Sequence, residues 1–487
     1  MLTVHTGTVT TALERANEWV WGSSLLALVL GVGLLLSVRT GFVQVRRLGG
    51  AFRLLMRADG SGDGVSPFGV LCTALSAAIG TGNIVGVATA VTAGGPGVIF
   101  WMVMSAFLGM ATKFAEGVLA VKYRVYEGSV PYGGPFYYIE RGMGRRFRWM
   151  GKLYALFGAL AGLLGIGTVT QSNSITAAVQ GVFGGDRSAG VTLGGNTYSW
   201  ITVAVGGVVT LLAALAILGG IGRISRVATV LVPLMLCVYV GAVGMILLTN
   251  FARIPAAISL IFHAAFSPRA ALGAAAGITV KQAMRLGIGR GIFSNEAGMG
   301  TEAIAAAASR TSSPVEQGLL CMLSTFIDTV VLCSAAGLTL IVTDAYQQSS
   351  LGGVAITVYA WEQGLGLPPS VSRLLLTLCL VFFAFSTILG WNVYAERCMR
   401  YLCNGHSSWM RGYRIAYIAA VWIGPYLSVS SAWAVADICN GCMMFPNLVA
   451  LLSLSGVVAS QTREYFCRES KKTYKNGKKP LDGRRKG

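Results

Sequence analysis

The sequence predicts an all-α protein that crosses a membrane about eleven times, and three observations carry that prediction. The chain has 487 residues, 54% of them hydrophobic and only 12% charged, with a mean hydropathy of +0.65, far from the composition of soluble domains. Apolar runs long enough to cross a hydrocarbon core of roughly 30 Å lie near 19–38, 67–92, 96–121, 151–183, 198–219, 226–249, 275–308, 317–343, 371–396, 413–430 and 432–459. Two of these runs are interrupted where an unbroken membrane helix would be uniformly apolar: Ala77-Ala-Ile-Gly80-Thr-Gly-Asn83-Ile-Val-Gly86 and Gly287-Ile-Gly-Arg-Gly291-Ile-Phe-Ser-Asn295-Glu296-Ala-Gly298-Met-Gly300.

The runs divide the chain into an N-terminal helix and loop (1–66), a first set of five spans (67–249), an external connection (250–274), a second set of five (275–459) and a basic tail (460–487). The formal charge of +19 does not point to nucleic acid, because Lys and Arg gather in alternate loops, with 7 in 122–152 and 10 in the tail. By the positive-inside rule the N-terminus lies outside and the C-terminus in the cytoplasm, as an odd number of spans requires. The tail from Arg463 reads as a disordered basic anchor attracted to anionic membrane lipid. Residues 1–18 show no small-residue cleavage pattern, so no removable signal peptide is expected, and a bacterial-type inner membrane suits the short loops. The ten cysteines are scattered, and Cys439-Asn-Gly-Cys442 has no second pair or nearby histidine to make a metal or redox site. Nor do the sparse histidines and isolated acids supply a nucleophile–base pair, so an enzyme is not expected.

In hydrocarbon every backbone N–H and C=O must be satisfied internally, so unwound backbone survives only where it is buried in protein or lines a cavity holding something polar. Glycines that merely allow close helix packing are the alternative. Two breaks in corresponding halves of the chain favour a transporter built from repeats. At the first break Gly80 and Gly82 expose backbone N–H groups, and the half-helix starting near Asn83 has a positive end that suits a carboxylate. The opposing half-helix presents free carbonyls that suit sodium. At the second break Phe293, Ser294 and Asn295 form a wall with hydrogen-bonding groups and an aromatic face.

Thr387 and Trp391 share one helical face; Ser386 and Thr387 offer hydroxyls to a sodium ion while Trp391 limits substrate length, or all three simply pack. Gln171 is either a helix-to-helix hydrogen bonder or a ligand contact. Lys113 and Glu116, spaced i and i+3, read as a mutual pair or an end-of-helix snorkelling pair. Lys281, Arg285 and Arg290 precede Glu296 and Glu302 around the second break, and Asp328 and Asp437 stand alone in apolar spans. Glu296, Glu302, Asp328 and Asp437 therefore keep proton coupling open beside sodium coupling. Pro131-Tyr-Gly-Gly-Pro135-Phe-Tyr-Tyr138 is a packed loop or a gate.

Three motifs resemble the alanine or glycine:cation symporter family, the sodium:alanine symporters, over nearly the whole chain: Ser76-Ala-Ala-Ile-Gly80-Thr-Gly-Asn83-Ile-Val-Gly86, Gly94-Gly-Pro-Gly-Val-Ile-Phe100-Trp101-Met102 and Arg290-Gly-Ile-Phe-Ser-Asn-Glu-Ala-Gly298. Val103 stands where the family usually has a further tryptophan, and Thr301-Glu302-Ala303 replaces the usual Ser-Ala-Pro, adding an acid beside the second break. The resemblance implies a leucine-transporter-like fold, a five-plus-five inverted repeat with one extra N-terminal helix. It also implies symport of a small neutral amino acid, alanine or glycine, with sodium as the coupling ion. By that likeness Thr81, Gly82 and Asn83 hold the substrate carboxylate, and Gln171, Phe293, Ser294, Asn295, Thr387 and Trp391 complete the pocket. Sodium would take the carbonyls of Ser76, Ile79 and Phe383 and the hydroxyls of Ser386 and Thr387.

Overall fold

The architecture comes from a computed structural model that describes residues 15–57, 64–184, 190–193, 196–266, 280–311, 313–348, 351–427 and 429–475. Its principal helices in chain order are α1 (Ser23–Arg39), α2 (Leu48–Arg57), α3 (Pro67–Ala78), α4 (Val87–Gly94), α5 (Val98–Lys122), α6 (Arg148–Leu164), α7 (Val169–Phe183), α8 (Trp200–Ile217) and α9 (Gly220–Thr249). There follow α10 (Ile254–Phe266), α11 (Val280–Asn295), α12 (Thr301–Ala306), α13 (Pro314–Thr325), α14 (Ser334–Val342), α15 (Val354–Gly364), α16 (Pro369–Leu402), α17 (Ser407–Ile423) and α18 (Val429–Lys475).

Local signals set several starts. Pro67 opens α3 behind Ser66, whose hydroxyl accepts the Gly69 N–H at 3.1 Å. Pro314 opens α13 behind Ser313, which caps Glu316. Pro369 opens α16.

Among the described residues, eight helices are long and apolar enough to cross a membrane, and a ninth crossing is counted if α3 and the helix Gly82–Gly94, bent by 55°, are one broken span. The expected segment 275–308 is occupied by α11 and α12, too short and, with Lys281, Arg285 and Arg290, too polar to pass by the same measure. The segment 413–430 coincides with α17, only 17 residues long. The run 151–183 is not one helix: the chain unwinds between α6 and α7 at Gly165–Thr168, and the 39 residues from Arg145 to Phe183 exceed what one crossing needs. The tail expected to be unstructured from Arg463 continues as helix to Lys475, with Tyr465 donating to Glu316 at 3.1 Å and Arg47 stacked 4.2 Å from the Phe466 ring. Two short antiparallel hairpins, Val125–Glu127 with Val130–Tyr132 and Gly190–Leu193 with Asn196–Ser199, interrupt the otherwise helical pattern.

The core is organised around α5 and α16. Helix α5 packs along α13 and α11, while α16 packs along α6, α7, α9 and α3. Helices α5 and α13 pack closely at two glycines: an added Cβ at Gly117 would stand 2.9 Å from the Gly318 Cα, and one at Gly318 would stand 2.7 Å from the Phe114 carbonyl. Helix α16 meets both breaks, Thr387 at Ile79 of the first and Trp391 at Glu296 of the second.

Candidate functional site

The first break begins where α3 ends at Ile79. In an unbroken helix the Gly80 N–H would close on the Ser76 carbonyl; here it donates to Asn83 Oδ1 at 3.0 Å. The chain then passes through Thr81 into a π-helical turn, Gly82–Gly86, and on into α4. Glycine is required at 80 because a Cβ would lie 2.8 Å from Thr387 Oγ1. That close approach lets the Thr387 hydroxyl donate to the Ile79 carbonyl at 3.2 Å as well as to Phe383 O at 3.0 Å, and Ser386 Oγ donates to the same Phe383 carbonyl at 2.9 Å.

Four oxygens from two discontinuous pieces of chain thus meet without a charged group among them. They are hard, neutral donors, the type a monovalent cation takes up. The Ser76 hydroxyl is turned back to Thr73 O at 2.8 Å, so only its backbone carbonyl is in question.

Around the other face of the break, Asn83 Nδ2 donates to Asp328 Oδ1 at 2.6 Å and to Ser294 Oγ at 3.0 Å. Ser294 and Thr329 each donate to Asp328 Oδ2 at 2.7 Å. All of these groups are buried. The Asp328 carboxylate, on the π-helical stretch Phe326–Cys333 between α13 and α14, therefore ties the first break to the end of α11. In the sequence Asp328 stands alone in an apolar span as a candidate for proton coupling, with no partner indicated. Its position inside a widened turn, facing an Asn 245 residues away, has no local signature.

Gln171, one turn into α7, receives the Thr81 hydroxyl at 3.4 Å. Phe293 lies 3.6 Å from where a Gly82 Cβ would be and pairs with Trp433 at 5.6 Å between ring centroids. Thr81, Gly82, Gln171, Phe293, Asn83 and Ser294 are brought together with Ile79, Phe383, Ser386 and Thr387. Thr81 and Gly82 also line an open cavity of about 870 Å³, together with Arg290, Thr377, Trp433 and Asp437.

Two other candidates spend their polar groups elsewhere. Asn295 donates to Thr329 Oγ1 at 3.1 Å and accepts the Ala297 N–H at 3.0 Å. Trp391 donates its indole N–H to Glu296 Oε1 at 3.0 Å.

The second break runs from Glu296 to Gly300. Glu116 Oε1 accepts the N–H groups of Gly298 and Gly300, each at 3.1 Å, and the Asn447 amide at 2.8 Å. Lys113 does not pair with Glu116 as the sequence spacing suggested. It meets Glu302 at 3.2 Å, because the turn of α12 brings Glu302 onto the same face of α5 while Glu116 is committed to the unwound backbone. Among the described residues no group of three His, Cys, Asp or Glu side chains could hold a metal.

Comparison with known proteins adds to this geometry. A family model described as the sodium:alanine symporter family matches residues 6–480. The chain belongs to the sodium:alanine symporter family. Among similar proteins are an uncharacterized transporter of Haemophilus influenzae, 48% identical over 95% of this chain and 97% of its own, and the sodium/alanine symporter AgcS of Methanococcus maripaludis, 41% identical over 93% and 96%. The probable sodium/glutamine symporter GlnT of Bacillus subtilis is 35% identical over 92% and 89%. Sodium:alanine symporters are transporters and not enzymes; sodium is the coupling ion of the family and alanine the solute for which it is named. The resemblance that the three motifs carried is thereby established, and the chain is a multi-pass membrane protein.

Proposed function

We propose that this protein carries alanine or a similarly small neutral amino acid, glycine included, into the cell together with sodium, by alternating access. The observation that carries the reading is the convergence of the Thr387 and Ser386 hydroxyls with the Ile79 and Phe383 carbonyls beside the unwound Gly80–Thr81 backbone. One interruption then serves both cargoes. Sodium would be held by those oxygens with the Ser76 carbonyl, and the substrate carboxylate by the N–H end of the half-helix at Thr81, Gly82 and Asn83. Ion and amino acid would order the same few residues, so binding of one favours the other, which is what symport requires.

Phe293 facing Gly82 at van der Waals distance supports a small substrate, while Gln171, Ser294, Asn295, Thr387 and Trp391 would complete the pocket. The relative named for glutamine is the reason to test longer side chains too. We read the helices as a five-plus-five inverted repeat with one leading helix, divided at 67–249 and 275–459, with the N-terminus outside. The cavity above Thr81 would then be the outer vestibule.

The test is uptake of radiolabelled alanine into proteoliposomes under an inward sodium gradient, with potassium replacement and an imposed proton gradient as separate arms. Concentrative uptake with sodium alone supports the proposal. Uptake driven by protons alone would instead assign coupling to a carboxylate, and the buried Asp328 beside Asn83 is the specific reason to include that arm.

A further inference from the structure

Helix α16 connects two cavities. Near its start Thr377 lines the vestibule above Thr81, and near its end a second cavity of about 220 Å³ is walled by Tyr132, Asn392, Glu396, Arg397, Arg400 and Arg414. At 1.5 Å per residue, Thr387 lies about 15 Å from Thr377 in one direction and about 15 Å from Arg397 in the other. The four-oxygen cluster thus sits midway between an open vestibule and a small basic chamber.

That chamber has unused binding capacity. Asn392 is fully buried, yet both its Oδ1 and its Nδ2 lack a partner, and the Nε atoms of Arg400 and Arg414 are also buried without one. Arg400 pairs with Glu127 and Arg414 with Glu396. Arg397 stacks 4.1 Å from the centroid of the Tyr132 ring and forms no ion pair among the described residues. Three guanidiniums face two carboxylates, so one positive charge is left over beside an amide that can both donate and accept. Buried polar groups left unmatched are costly, and three of the residues bordering this cavity, Asn392, Arg400 and Arg414, carry them.

We propose that this chamber is a second, exit-side site for the free amino acid, taking its carboxylate on Arg397 with the Arg400 and Arg414 Nε–H groups and its ammonium on Asn392 Oδ1. The inference rests on the amino-acid symport proposed above. Guanidinium N–H groups suit a carboxylate, and the volume admits an amino acid of alanine's size. The one acidic wall residue, Glu396, is already held by Arg414, so no sodium ligand set is present and binding here is independent of sodium. A solute leaving the central cluster would be received by the chamber and leave its sodium behind.

The experiment is equilibrium binding of radiolabelled alanine to the purified full chain, in sodium and in choline, for the wild type and for Arg397→Gln, Arg397→Lys, Asn392→Leu and Thr387→Ala. The expected wild type shows two components, one requiring sodium and one not. Arg397→Gln weakens the sodium-free component at least about tenfold, the scale of one charge-assisted hydrogen bond, and leaves the sodium-requiring component as proof of folding. Asn392→Leu behaves likewise, Arg397→Lys restores part of the affinity, and Thr387→Ala does the reverse of Arg397→Gln.

No sodium-free binding in the wild type, or sodium-free binding unchanged in Arg397→Gln, overturns the proposal. Loss of only the sodium-requiring component from the wild type would instead sink the symport reading and leave the chamber standing. The same oxyanion chemistry is offered by a lipid phosphate, so the measurement is repeated in nanodiscs of phosphatidylcholine with and without phosphatidylglycerol. Equal sodium-free binding in both supports the amino acid, and its disappearance with phosphatidylglycerol assigns the chamber to lipid and overturns the proposal.

Discussion

The Asp328 carboxylate accepts the Asn83 side-chain amide at 2.6 Å, joining the centre of the first broken helix to a π-helical turn 245 residues away. Because Ser294 and Thr329 donate to the same carboxylate, removing it strands three donors in a buried place. Asp328→Ala is expected to cut sodium-driven alanine uptake by at least about tenfold, since a buried hydrogen bond to a charged group is worth roughly 1.5–3 kcal/mol. Asp328→Asn keeps an acceptor for Asn83 and should fall between. Uptake in Asp328→Ala equal to wild type would remove this carboxylate from the working site.

Gly80 and Gly82 make a sharp steric contrast. A methyl group at 80 would stand 2.8 Å from Thr387 Oγ1, whereas one at 82 would meet Phe293 at an ordinary 3.6 Å. Gly80→Ala is therefore expected to abolish sodium-dependent uptake, while Gly82→Ala keeps sodium dependence and at most weakens alanine binding. Sodium titrations of uptake by the two variants check this, and equal losses would show that space at the break is not the deciding factor.

Thr387 offers its hydroxyl, not its methyl, to the oxygen cluster. Thr387→Ser should keep a half-saturating sodium concentration near that of wild type, and Thr387→Ala should raise it about tenfold or more, the scale of one lost ion–dipole contact. Omitting sodium should release alanine from the central site of the wild type and leave only the sodium-independent component bound. Alanine affinity that ignores sodium in both proteins would separate ion from substrate and refute the shared-break mechanism.

Lys113 and Glu302 form an ion pair whose side chains are 2% and 3% exposed. Removing one partner of such a buried pair costs about 3–5 kcal/mol because the other charge is left uncompensated. Lys113→Met and Glu302→Met should each lower the melting temperature in detergent more than the double variant that combines them does. An additive double variant would show that the two charges are not coupled.

Some of this was legible in the residues and some was not. The Gly80–Gly86 interruption announced itself because glycine and asparagine inside an apolar run have a cost that only a special backbone explains, and the long apolar runs marked a multi-pass membrane protein. The unwinding at Gly165–Thr168 was missed although two glycines mark it, because Ile166 and the flanking leucines keep the run apolar and hydropathy does not register a turn sheltered by protein. The stretches of α11 and α17 read as spans in the sequence, yet α11 carries Lys281, Arg285 and Arg290 and both helices fall just short of the length by which a crossing is counted. The pairing of Lys113 with Glu302 in place of Glu116 was out of reach, because i and i+3 spacing describes one helix and the winning partner came from another. Asn392 carried no signal at all, being one polar residue in a helix that also holds Ser386 and Thr387.

The triple acceptance at Glu116 Oε1 fastens three parts of the molecule at one atom. One oxygen gathers the Gly298 and Gly300 backbone with the Asn447 amide, while Asn447 Nδ2 also donates to Gly298 O at 2.8 Å. A turn fastened at consecutive points to both α5 and α18 has no slack. It acts as a rivet rather than a joint, holding α5, α18 and the unwound Glu296–Gly300 backbone as one unit.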